Sequence, residues 1–395
     1  MSKLDELIKE LCPNGVKYVE FNTVLDYEQP TKYIVGDTNY NDDFETPVLT
    51  AGQTFILGYT NETDGIYIAT KEDPSIIFDD FTTSFHWVDF SFKIKSSAMK
   101  ILRLKSDKAE GATLRYVYHC MKNIQYEPVD HSRQWIAKYS TFLFPLPPVL
   151  VQKEIVRILD NFAKLTAKLT AKLTAELTAR KKQYEYYETQ LLFENNYILT
   201  PLSKLCTVNQ GLQIPISDRK TEDGENRYFY ITVQFLKGNE DKYYIESPSQ
   251  SVICDYDDIL VTRTGSTGKI ITGVKGCFHN NFFKVNCFNT INKRYMFYVL
   301  NSKKMFEILL RTASGGTVPD LPHNKFYKIE VPVPYPNDID KSLIEQQRIV
   351  DILDRFDTLC NDISSGLPAE IEERQKQYQY YRDRLLTFPK VELEV

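Results

Sequence analysis

Two stretches of the chain repeat each other, VQKEIVRILDNF at residues 151–162 and EQQRIVDILDRF at residues 345–356. Seven of the twelve positions are identical, and the two copies lie 194 residues apart. The same separation relates RKKQYEYY at 180–187 to RQKQYQYY at 374–381. One spacing shared by both pairs indicates a tandem duplication, in which each copy holds a variable segment followed by a helical segment. The four predicted parts are residues 1–147, 148–195, 196–335 and 336–395.

The helical segments carry apolar residues at three- and four-residue steps, the spacing of one face of an α-helix. The stripe comprises Ile155, Ile158, Leu159 and Phe162 in the first copy and Ile349, Ile352, Leu353 and Phe356 in the second. Such a stripe needs a partner, and each helical segment is the candidate partner of the other in an antiparallel coiled coil.

The first helical segment also contains four tetrads, LTAK, LTAK, LTAE and LTAR, at residues 165–180. They include neither Gly nor Pro, so an unbroken helix is predicted from Leu150 to Phe193. Its 44 residues would measure roughly 66 Å at 1.5 Å per residue. The second copy has SSGLP at 364–368 where the tetrads would fall, and the helix should break there.

Both variable segments mix strand-like runs, such as residues 86–94 and 258–262, with helical runs such as 294–300. Each is therefore predicted to fold as an α+β domain. The segments end alike, in FLFPLPP at 142–148 and IEVPVP at 329–334, but their interiors differ greatly. A repeated frame with different inserts predicts two domains that recognise different things at a fixed separation.

Composition places the chain among globular proteins of two or three domains, with 395 residues of which 42% are hydrophobic and 26% charged. No apolar run is long enough to cross a bilayer and the N-terminal pattern is charged, so a cytoplasmic location is expected. Seven cysteines form no C-x-x-C pair, which predicts neither a disulfide framework nor a zinc site. The net charge of −5 argues mildly against nucleic-acid binding, but local patches can still be positive.

The repeated blocks resemble the conserved regions of type I restriction-modification specificity subunits. The turn PLPP at 145–148, leading into QKEIVRILD at 152–160, is similar to the central region of that family, as is RKKQYEYY. GLPAEIE at 366–372 and QYQYYRDRLL at 377–386 are similar to its distal region. TRTGSTGK at 262–269 resembles a common target-recognition segment. The resemblance covers nearly the whole chain.

This resemblance implies an α+β fold with two globular α/β target-recognition domains in a pseudo-two-fold tandem repeat, separated by long antiparallel coiled-coil helices. Each domain would read half of a split, asymmetric site on double-stranded DNA, and the tetrads would set the gap between the halves. Two methyltransferase subunits would bind the conserved helices, and restriction/translocase subunits would join them for cleavage. The chain itself is expected to hold no cofactor, metal or catalytic residue; S-adenosylmethionine, ATP and Mg²⁺ would be bound by the partners.

Candidate DNA contacts in the second domain lie in the TRTGSTGK segment, whose glycines allow a tight turn. They are Arg263, Thr264, Ser266 and Lys269, with Gln213 as a further candidate. These side chains can donate to phosphates and base edges, and Arg263 is the candidate for bidentate contact with guanine. A glycine hairpin with a solvated surface is the alternative interpretation.

The first domain has no counterpart of that segment in its sequence, so contact positions do not carry over. Thr83 and His86 stand beside aromatic residues and either hydrogen bond to bases or simply finish a strand. Arg133 and Gln134 suit guanine or adenine edges, with surface solvation as the alternative. For the helices, the resemblance implies subunit-binding positions at Gln152, Tyr184, Tyr187, Gln346, Tyr378 and Tyr381.

Two other classes of function compete with this interpretation. A nuclease or methyltransferase would need motifs that the chain lacks: there is no G-x-G-x-x-G loop, no Asn/Asp-Pro-Pro-Tyr/Phe pocket and no H-x-x-x-H pairing, and the five histidines are scattered. A coiled-coil scaffold that binds only protein would fit the tetrad helix. It would not explain two large, divergent domains on a duplicated frame.

Overall fold

The computed structural model describes residues 2–52, 54–105, 111–194, 197–238, 242–315, 318–362 and 365–391. Its contacts divide the chain into unit 1, Met1–Lys172 with Glu372–Val395, and unit 2, Leu173–Ile371. Each unit holds one variable segment together with helical residues from both copies of the repeat. The boundaries of the four sequence parts stay a prediction, because this division follows spatial neighbours and not the repeat.

Unit 1 contains a mixed α+β domain followed by the start of a long helix. Its helices are α1 (Lys3–Leu11), α2 (Phe21–Val24), α3 (Leu114–Asn123), α4 (Gln134–Ala137) and the first part of α5 (Val149–Phe193). Its strands are β1 (Lys17–Glu20), β2 (Leu25–Glu28), β3 (Thr46–Leu49), β4 (Ile56–Thr60), β5 (Ser75–Asp79), β6 (Phe85–Val88), β7 (Lys93–Ile94), β8 (Met99–Leu104) and β9 (Leu143–Leu146). Short 3-10 turns lie at Pro30–Tyr33 and Tyr139–Thr141.

Unit 2 has the same mixture of elements. Its strands are β10 (Ile198–Pro201), β11 (Cys206–Gln210), β12 (Arg227–Ile231), β13 (Tyr244–Glu246), β14 (Ile253–Cys254), β15 (Ile259–Thr262), β16 (Ile270–Ile271), β17 (Gly276–Phe278), β18 (Phe282–Cys287) and β19 (Glu330–Val333). Its helices are α6 (Val233–Leu236), α7 (Lys293–Asn301), α8 (Lys303–Thr312), α9 (His323–Phe326), α10 (Ile339–Asn361) and the start of α11 (Leu367–Leu385). Short 3-10 turns lie at Leu202–Lys204, Ile216–Asp218 and Gln250–Val252.

The two units share the strand order of one antiparallel sheet, although their second sheets differ, with three strands in unit 1 and four in unit 2. An antiparallel sheet has the order β2-β8-β5-β6 in unit 1 and β11-β18-β15-β16 in unit 2. A second sheet contains one parallel pair in each unit, β3 with β7 and β12 with β17. The first strand of each domain pairs antiparallel with the last, β1 with β9 and β10 with β19. This shared order confirms the predicted duplication, even though the two variable segments differ in sequence.

The first turns of α5 are buried in the domain of unit 1. Val151, Ile155 and Leu159 are fully enclosed, in a core that also contains Phe78 and Phe144. The apolar stripe was expected to face a second helix, but these residues face the sheet domain. The difference has a simple cause, since apolar periodicity records which side of a helix is buried and not what buries it.

The start of α10 is buried in the same way in unit 2. Ile349 and Leu353 are fully enclosed together with Phe283 and Tyr295. In both copies, therefore, the repeated IVxILD segment anchors its helix in the domain that precedes it. Phe162 and Phe356, whose rings contact other helices, follow this anchor by about one turn.

Aromatic rings join the helices of the two copies. In unit 1 the ring of Phe162 on α5 lies 5.4 Å from that of Tyr381 and 6.3 Å from that of Tyr378, both on α11. Further along α5, in unit 2, the ring of Tyr187 lies 5.6 Å from that of Phe356 on α10. Residues later in α5 therefore contact residues earlier in the second helical segment. This is the order of an antiparallel pairing, as predicted.

The tetrads form continuous helix. The predicted helix of 44 residues is found as a helix of 45 residues, Val149–Phe193. Leu165 and Leu169 are 58% and 44% exposed, so this part is sustained mainly by the helix propensity of Leu, Ala and Lys. No helix in the described ranges has the length and apolar character needed to span a membrane.

The second helical segment breaks where the sequence predicted. α10 ends at Asn361 and α11 begins at Leu367. The amide of Gly366 donates to the carbonyl of Asp362 at 2.9 Å, and Pro368 occupies the first turn of α11, where its missing amide hydrogen is not needed. Ser364 of the predicted break lies outside the described residues, as does Ile363 before it.

Candidate functional site

An arginine on α3 ties the domain of unit 1 to α5. Arg115 donates to the carboxylate of Asp160 through Nη2 at 2.8 Å and through Nε at 3.0 Å. His119 Nε2 lies 2.8 Å from the same carboxylate. The guanidinium also stacks over Trp87, 4.7 Å from the ring centroid. We call Arg115, His119 and Asp160 the clamp of unit 1.

Burial alone raises the pKa of Asp160, but the hydrogen bonds from His119 and Arg115 outweigh it and hold that pKa at about 2. The pKa of His119 is lowered, first because the imidazole is buried. The clamp at neutral pH is therefore a charged arginine-aspartate pair with a neutral imidazole beside it.

Unit 2 contains the equivalent clamp on α7 and α10. Arg294 Nε donates to Asp354 Oδ1 at 2.9 Å, and Asp357 lies 3.7 Å from the guanidinium. The hydroxyl of Tyr298 donates to the same aspartate, where unit 1 has its histidine. The guanidinium stacks 4.8 Å from the ring centroid of Phe297. Asp160 and Asp354 are identical positions of the 194-residue repeat.

Two glutamines of the repeat complete this attachment. Gln152 is fully buried; its Oε1 accepts from the amide of Thr113 at 2.9 Å and its Nε2 donates to the carbonyl of Pro147 at 2.8 Å. Gln346 is equally buried, and its Oε1 accepts from the amide of Asn292 at 2.7 Å. Both were expected at a subunit interface. Their side chains are enclosed within the chain, so partner contact there would require the helix to leave its domain.

The four predicted tyrosines lie on the helix surface. Tyr184 and Tyr378 are half-buried, whereas Tyr187 and Tyr381 are each 39% exposed. Their neighbours in the sequence, Tyr186 and Tyr380, are exposed to 60%. Of the predicted four, Tyr187 and Tyr381 thus keep part of their surface open to a partner, although each also stacks on a phenylalanine.

Four of the five predicted DNA contacts of unit 2 lie on the turn at residues 263–269, here called the polar turn, between β15 and β16. The buried hydroxyl of Thr262 donates to the carbonyl of Ser266 at 2.6 Å and accepts from the amide of Lys269 at 2.7 Å. Gly268 has a φ of 84°, which other residues adopt only with strain. The side chain of Lys269 is exposed and that of Ser266 is partly exposed. A rigid turn thus presents them to solvent.

Arg263 is engaged by an acid that sequence reasoning did not identify. Its Nε and Nη2 donate to the two carboxylate oxygens of Asp320 at 2.6 and 3.1 Å. Its Nη1 donates to Gln210 Oε1 at 3.4 Å. The hydrogen bonds to Asp320 raise the pKa of Arg263. The arginine and its aspartate are 36% and 32% exposed, so the pair lies at the surface, and Asp320 occupies the edge that would meet a guanine.

Two asparagines after β17 connect the other predicted contacts. The hydroxyl of Thr264 donates to Asn281 Oδ1 at 2.9 Å. Asn280 Nδ2 donates to Gln213 Oε1 at 3.1 Å, and its carbonyl accepts from Gln210 Nε2. Gln210 also accepts from Arg263, whose own amide donates to the carbonyl of Asn281. The structure therefore brings Arg263, Thr264 and Gln213 into one hydrogen-bonded network, which does not include the side chains of Ser266 and Lys269.

In unit 1, Thr83 lies in the turn between β5 and β6, buried and with a φ of 59°. Its hydroxyl donates to the carbonyl of Thr82 at 2.7 Å. His86 is on β6, donates to the carbonyl of Gly52 at 3.1 Å and stacks on Phe55 at 4.6 Å. The run therefore forms the turn after β5 and the start of β6. Neither side chain points to an obvious reading role.

The other predicted pair of unit 1 is divided between surface and interior. Arg133 is exposed, whereas Gln134 is buried. The side-chain oxygen Oε1 of Gln134 accepts from the hydroxyl of Tyr126 at 2.6 Å. Its Nε2 donates to Asp130 Oδ1 at 3.2 Å and to the carbonyl of Ser132 at 2.9 Å. Both ends of this amide are used inside the domain, which leaves no group for a base edge.

The clamp arginines had a signal in the sequence that reasoning from the repeat missed. Arg-Tyr occurs at 115–116 and at 294–295, and both tyrosine hydroxyls donate to a proline carbonyl, at 3.0 and 3.1 Å. These dipeptides are 179 residues apart and not 194. A search at the spacing of the helical blocks therefore does not align them.

Within the described part of the chain, no group of three or more His, Cys, Asp or Glu side chains is placed to hold a metal ion. The cysteines described are all free, and burial raises the pKa of Cys206 to about 12 and that of Cys277 likewise.

Residues 196–373 match the family described as the type I restriction modification DNA specificity domain. The specificity subunit of the Escherichia coli type I restriction enzyme EcoR124I/EcoR124II is 40% identical over 415 aligned residues, which cover 99% of this chain and 99% of that protein. A putative type I restriction enzyme specificity subunit of Haemophilus influenzae is 30% identical over 361 residues, covering 85% of this chain and 86% of that protein.

A chain solved in work on the complex assembly and conformational transition of the type I R-M system has a similar fold. The TM-score is 0.65 at 15% identity, and the match covers 95% of this chain and 98% of that chain. The likeness therefore extends over both units and their helices.

Proposed function

The chain belongs to the specificity subunits of type I restriction-modification systems, whose role is DNA sequence specificity, and from this premise we propose that it reads a bipartite, asymmetric site on double-stranded DNA. The observation that carries the proposal is that two domains with the same order of strands in their antiparallel sheet carry two different sets of polar loops. Two copies of one scaffold with unlike loops suit two unlike half-sites. A coiled-coil scaffold without DNA specificity has no support among the relatives.

Unit 2 reads its half-site with the polar turn. Lys269 and Ser266 contact phosphates and fix the register, because charged and hydroxyl donors on an exposed turn suit backbone oxygens. Arg263 turns from Asp320 to a guanine or a phosphate, exchanging one bidentate acceptor for another. In the absence of DNA, Asp320 holds the guanidinium in place. Its negative charge also weakens the attraction of Arg263 for phosphates of non-specific DNA.

The helices bind two methyltransferase subunits. Exposed apolar residues on the helices recur at the repeat spacing: Leu150 and Ile344 are 59% and 72% exposed, and Tyr186 and Tyr380 are 60% exposed each. Solvent-exposed apolar side chains that appear twice in equivalent positions suit two copies of the same partner. Restriction subunits join through these partners.

Catalysis resides in the partners, which bring S-adenosylmethionine, ATP and Mg²⁺. This chain supplies position and sequence choice. The charged groups of its clamps hold each domain to the helix that follows it.

Methylation mapping tests the proposal. Cells expressing this chain with its methyltransferase subunit should carry a split, asymmetric methylated motif that disappears when only this chain is deleted. Arg263→Ala should relax or change one half-site, and Arg311→Ala, which removes an exposed arginine paired with Glu307 on α8, should change neither. A methylation pattern that is the same with and without this chain would contradict the proposal.

A further inference from the structure

The backbone of unit 1 has a counterpart of the polar turn that its sequence does not reveal. The residue that follows β5 is Asp80, and the residue that follows β15 is Arg263. The amide of Asp80 donates to the carbonyl of Ala98 at 2.9 Å, and the amide of Arg263 donates to that of Asn281 at 2.6 Å. β5 and β15 hold the same place in their sheets. Residues 80–84 of unit 1 thus correspond to the polar turn.

A second pair of backbone hydrogen bonds extends the correspondence to the facing loop. The carbonyl of Asp80 accepts from the amide of Gln134 at 2.8 Å, and the carbonyl of Arg263 accepts from the amide of Leu321 at 3.2 Å. Gln134 therefore corresponds to Leu321. The residue before each is Arg133 in unit 1 and Asp320 in unit 2.

We propose that unit 1 reads its half-site with the exposed hydroxyls of Thr82 and Ser84 and the guanidinium of Arg133, at the place where unit 2 uses its polar turn. This inference rests on the proposed function of the polar turn. It replaces Thr83, His86 and Gln134, whose side chains are engaged inside the domain, as the reading groups of unit 1. 

The two units carry their charges in exchanged positions. In unit 2 the arginine is on the turn and the acid on the loop, and they pair with each other. In unit 1 the acid is on the turn and points inward: Asp80 is buried 3.1 Å from the ammonium of Lys100, and it accepts from the amide of Trp135 at 2.8 Å. The arginine is on the loop, and no ion pair of Arg133 occurs in the described part of the chain. Its guanidinium is open to a base edge.

Hydrogen bonds within the domain fix the conformation of the loop that carries Arg133. Asp130 accepts from the amide of Ser132 at 3.0 Å and from its hydroxyl at 2.5 Å. The buried side-chain amide of Gln134 forms hydrogen bonds with both of these residues and with Tyr126. An arginine on a preorganised loop loses less entropy on binding than one on a free segment. Gln134 thus acts as a positioning residue.

The test uses the full chain in complex with its methyltransferase subunit, with methylated motifs mapped across the genome. Arg133→Ala should lower the preference for the native base at one position of one half-site by roughly tenfold to a hundredfold. Arg133→Lys keeps the charge but not the bidentate geometry and should lose most of the same preference. Ser84→Ala should relax a second position of the same half-site. Arg311→Ala is the matched control for loss of an exposed arginine.

The two variants also show which unit reads which half-site, because Arg263→Ala should alter the half-site that Arg133→Ala leaves unchanged. If Arg263→Ala changes one half-site while Arg133→Ala and Ser84→Ala leave the other as it was, the inference is overturned and the proposed function stands. A uniform drop in methylation at all sites with Arg133→Ala, without any change of motif, also overturns it. If the native complex gives no split motif, the proposed function has failed instead.

Discussion

The two clamps differ at one residue that can change its charge. His119 in unit 1 and Tyr298 in unit 2 both meet the clamp aspartate, but only the histidine titrates near neutral pH. Burial lowers the pKa of His119 below its usual value of 6.5. The unfolded chain therefore takes up a proton at a higher pH than the folded chain, and acid favours unfolding.

We expect the free energy of unfolding of unit 1 to fall as the pH drops from 7 to below 6.5, while the unfolded imidazole becomes protonated. His119→Tyr, which copies unit 2, should remove this part of the pH dependence. Urea unfolding at pH 7.5 and pH 5.5 measures it, with the native chain and the variant compared at each pH. Equal losses on acidification in both proteins would contradict the assignment to His119, because His279 and His323 are present in both.

Residue-scale chemistry was only partly predictable. The turn of Arg263 could be inferred from its glycines and donors, which are local. Asp320, the acid that engages it, is 57 positions away along the chain, and nothing local to either residue signals the pair. The same limit explains Gln134, whose burial depends on Tyr126 and Asp130 and not on its own type.

Among the elements, α3 and α7 have the same task. Each has an Arg-Tyr pair in its first turn. The tyrosine hydroxyl donates to a carbonyl of the last strand of the domain, and the arginine forms an ion pair with the helix that follows the domain. The element thereby fixes the angle at which a recognition domain leaves its helix. Loss of the arginine should loosen that angle before it unfolds the domain.

Arg115→Ala should lower the free energy of unfolding of unit 1 by about 1 kcal/mol, the scale of a half-exposed ion pair with a stacked ring. It should also raise methylation at sites whose half-sites are intact but whose gap is one base pair too long or too short. Thermal unfolding and methylation mapping measure the two effects, with Arg311→Ala as the control. Unchanged gap discrimination in a destabilised variant would show that the clamp stabilises without orienting.

Secondary structure was the most predictable level. The unbroken run of Leu, Thr, Ala and Lys specifies α5 by propensity and period alone, and Gly366 with Pro368 specifies the break before α11. The partner of each apolar face was not specified. Ile155 and Ile349 carry the same pattern as a coiled-coil seam and yet face a sheet domain, since burial by strands leaves the same helical signature.

At the scale of the whole molecule, α5 connects the two recognition domains with an uninterrupted backbone. One additional tetrad lengthens an α-helix by about 6 Å and turns its end by about 40°. Six ångströms correspond to roughly one or two base-pair steps of DNA. The length of this helix is therefore a candidate for the property that sets the gap between the half-sites.

Insertion of LTAK after Lys168 should lengthen the gap in the methylated motif and leave both half-sites unchanged. Lys168→Gln, which alters the same segment without changing its length, should leave the gap as it is. Genome-wide methylation mapping measures both. An altered half-site sequence after the insertion would contradict the spacer role.

The duplication was legible in the sequence because two helical blocks share one spacing, and it predicted two domains on one frame. The apolar stripes added the antiparallel pairing of the two helical segments, but neither signal predicted where along the helices the compact units divide. Phe162 belongs to the first copy and its ring partners Tyr378 and Tyr381 to the second, so each compact unit borrows a helix from the other half of the gene.

That borrowing has a consequence for how the protein is made. Unit 2 consists of Leu173–Ile371, so all of it has been synthesised before the final residues of unit 1 exist. At about 5–20 residues per second, a ribosome needs on the order of 10–40 s to add the roughly 200 residues that separate the two parts of unit 1. During that time the first domain of the nascent chain lacks Tyr378 and Tyr381, the ring partners of Phe162. The segment translated first is thus the last to be closed, and a chaperone has its longest opportunity to act there.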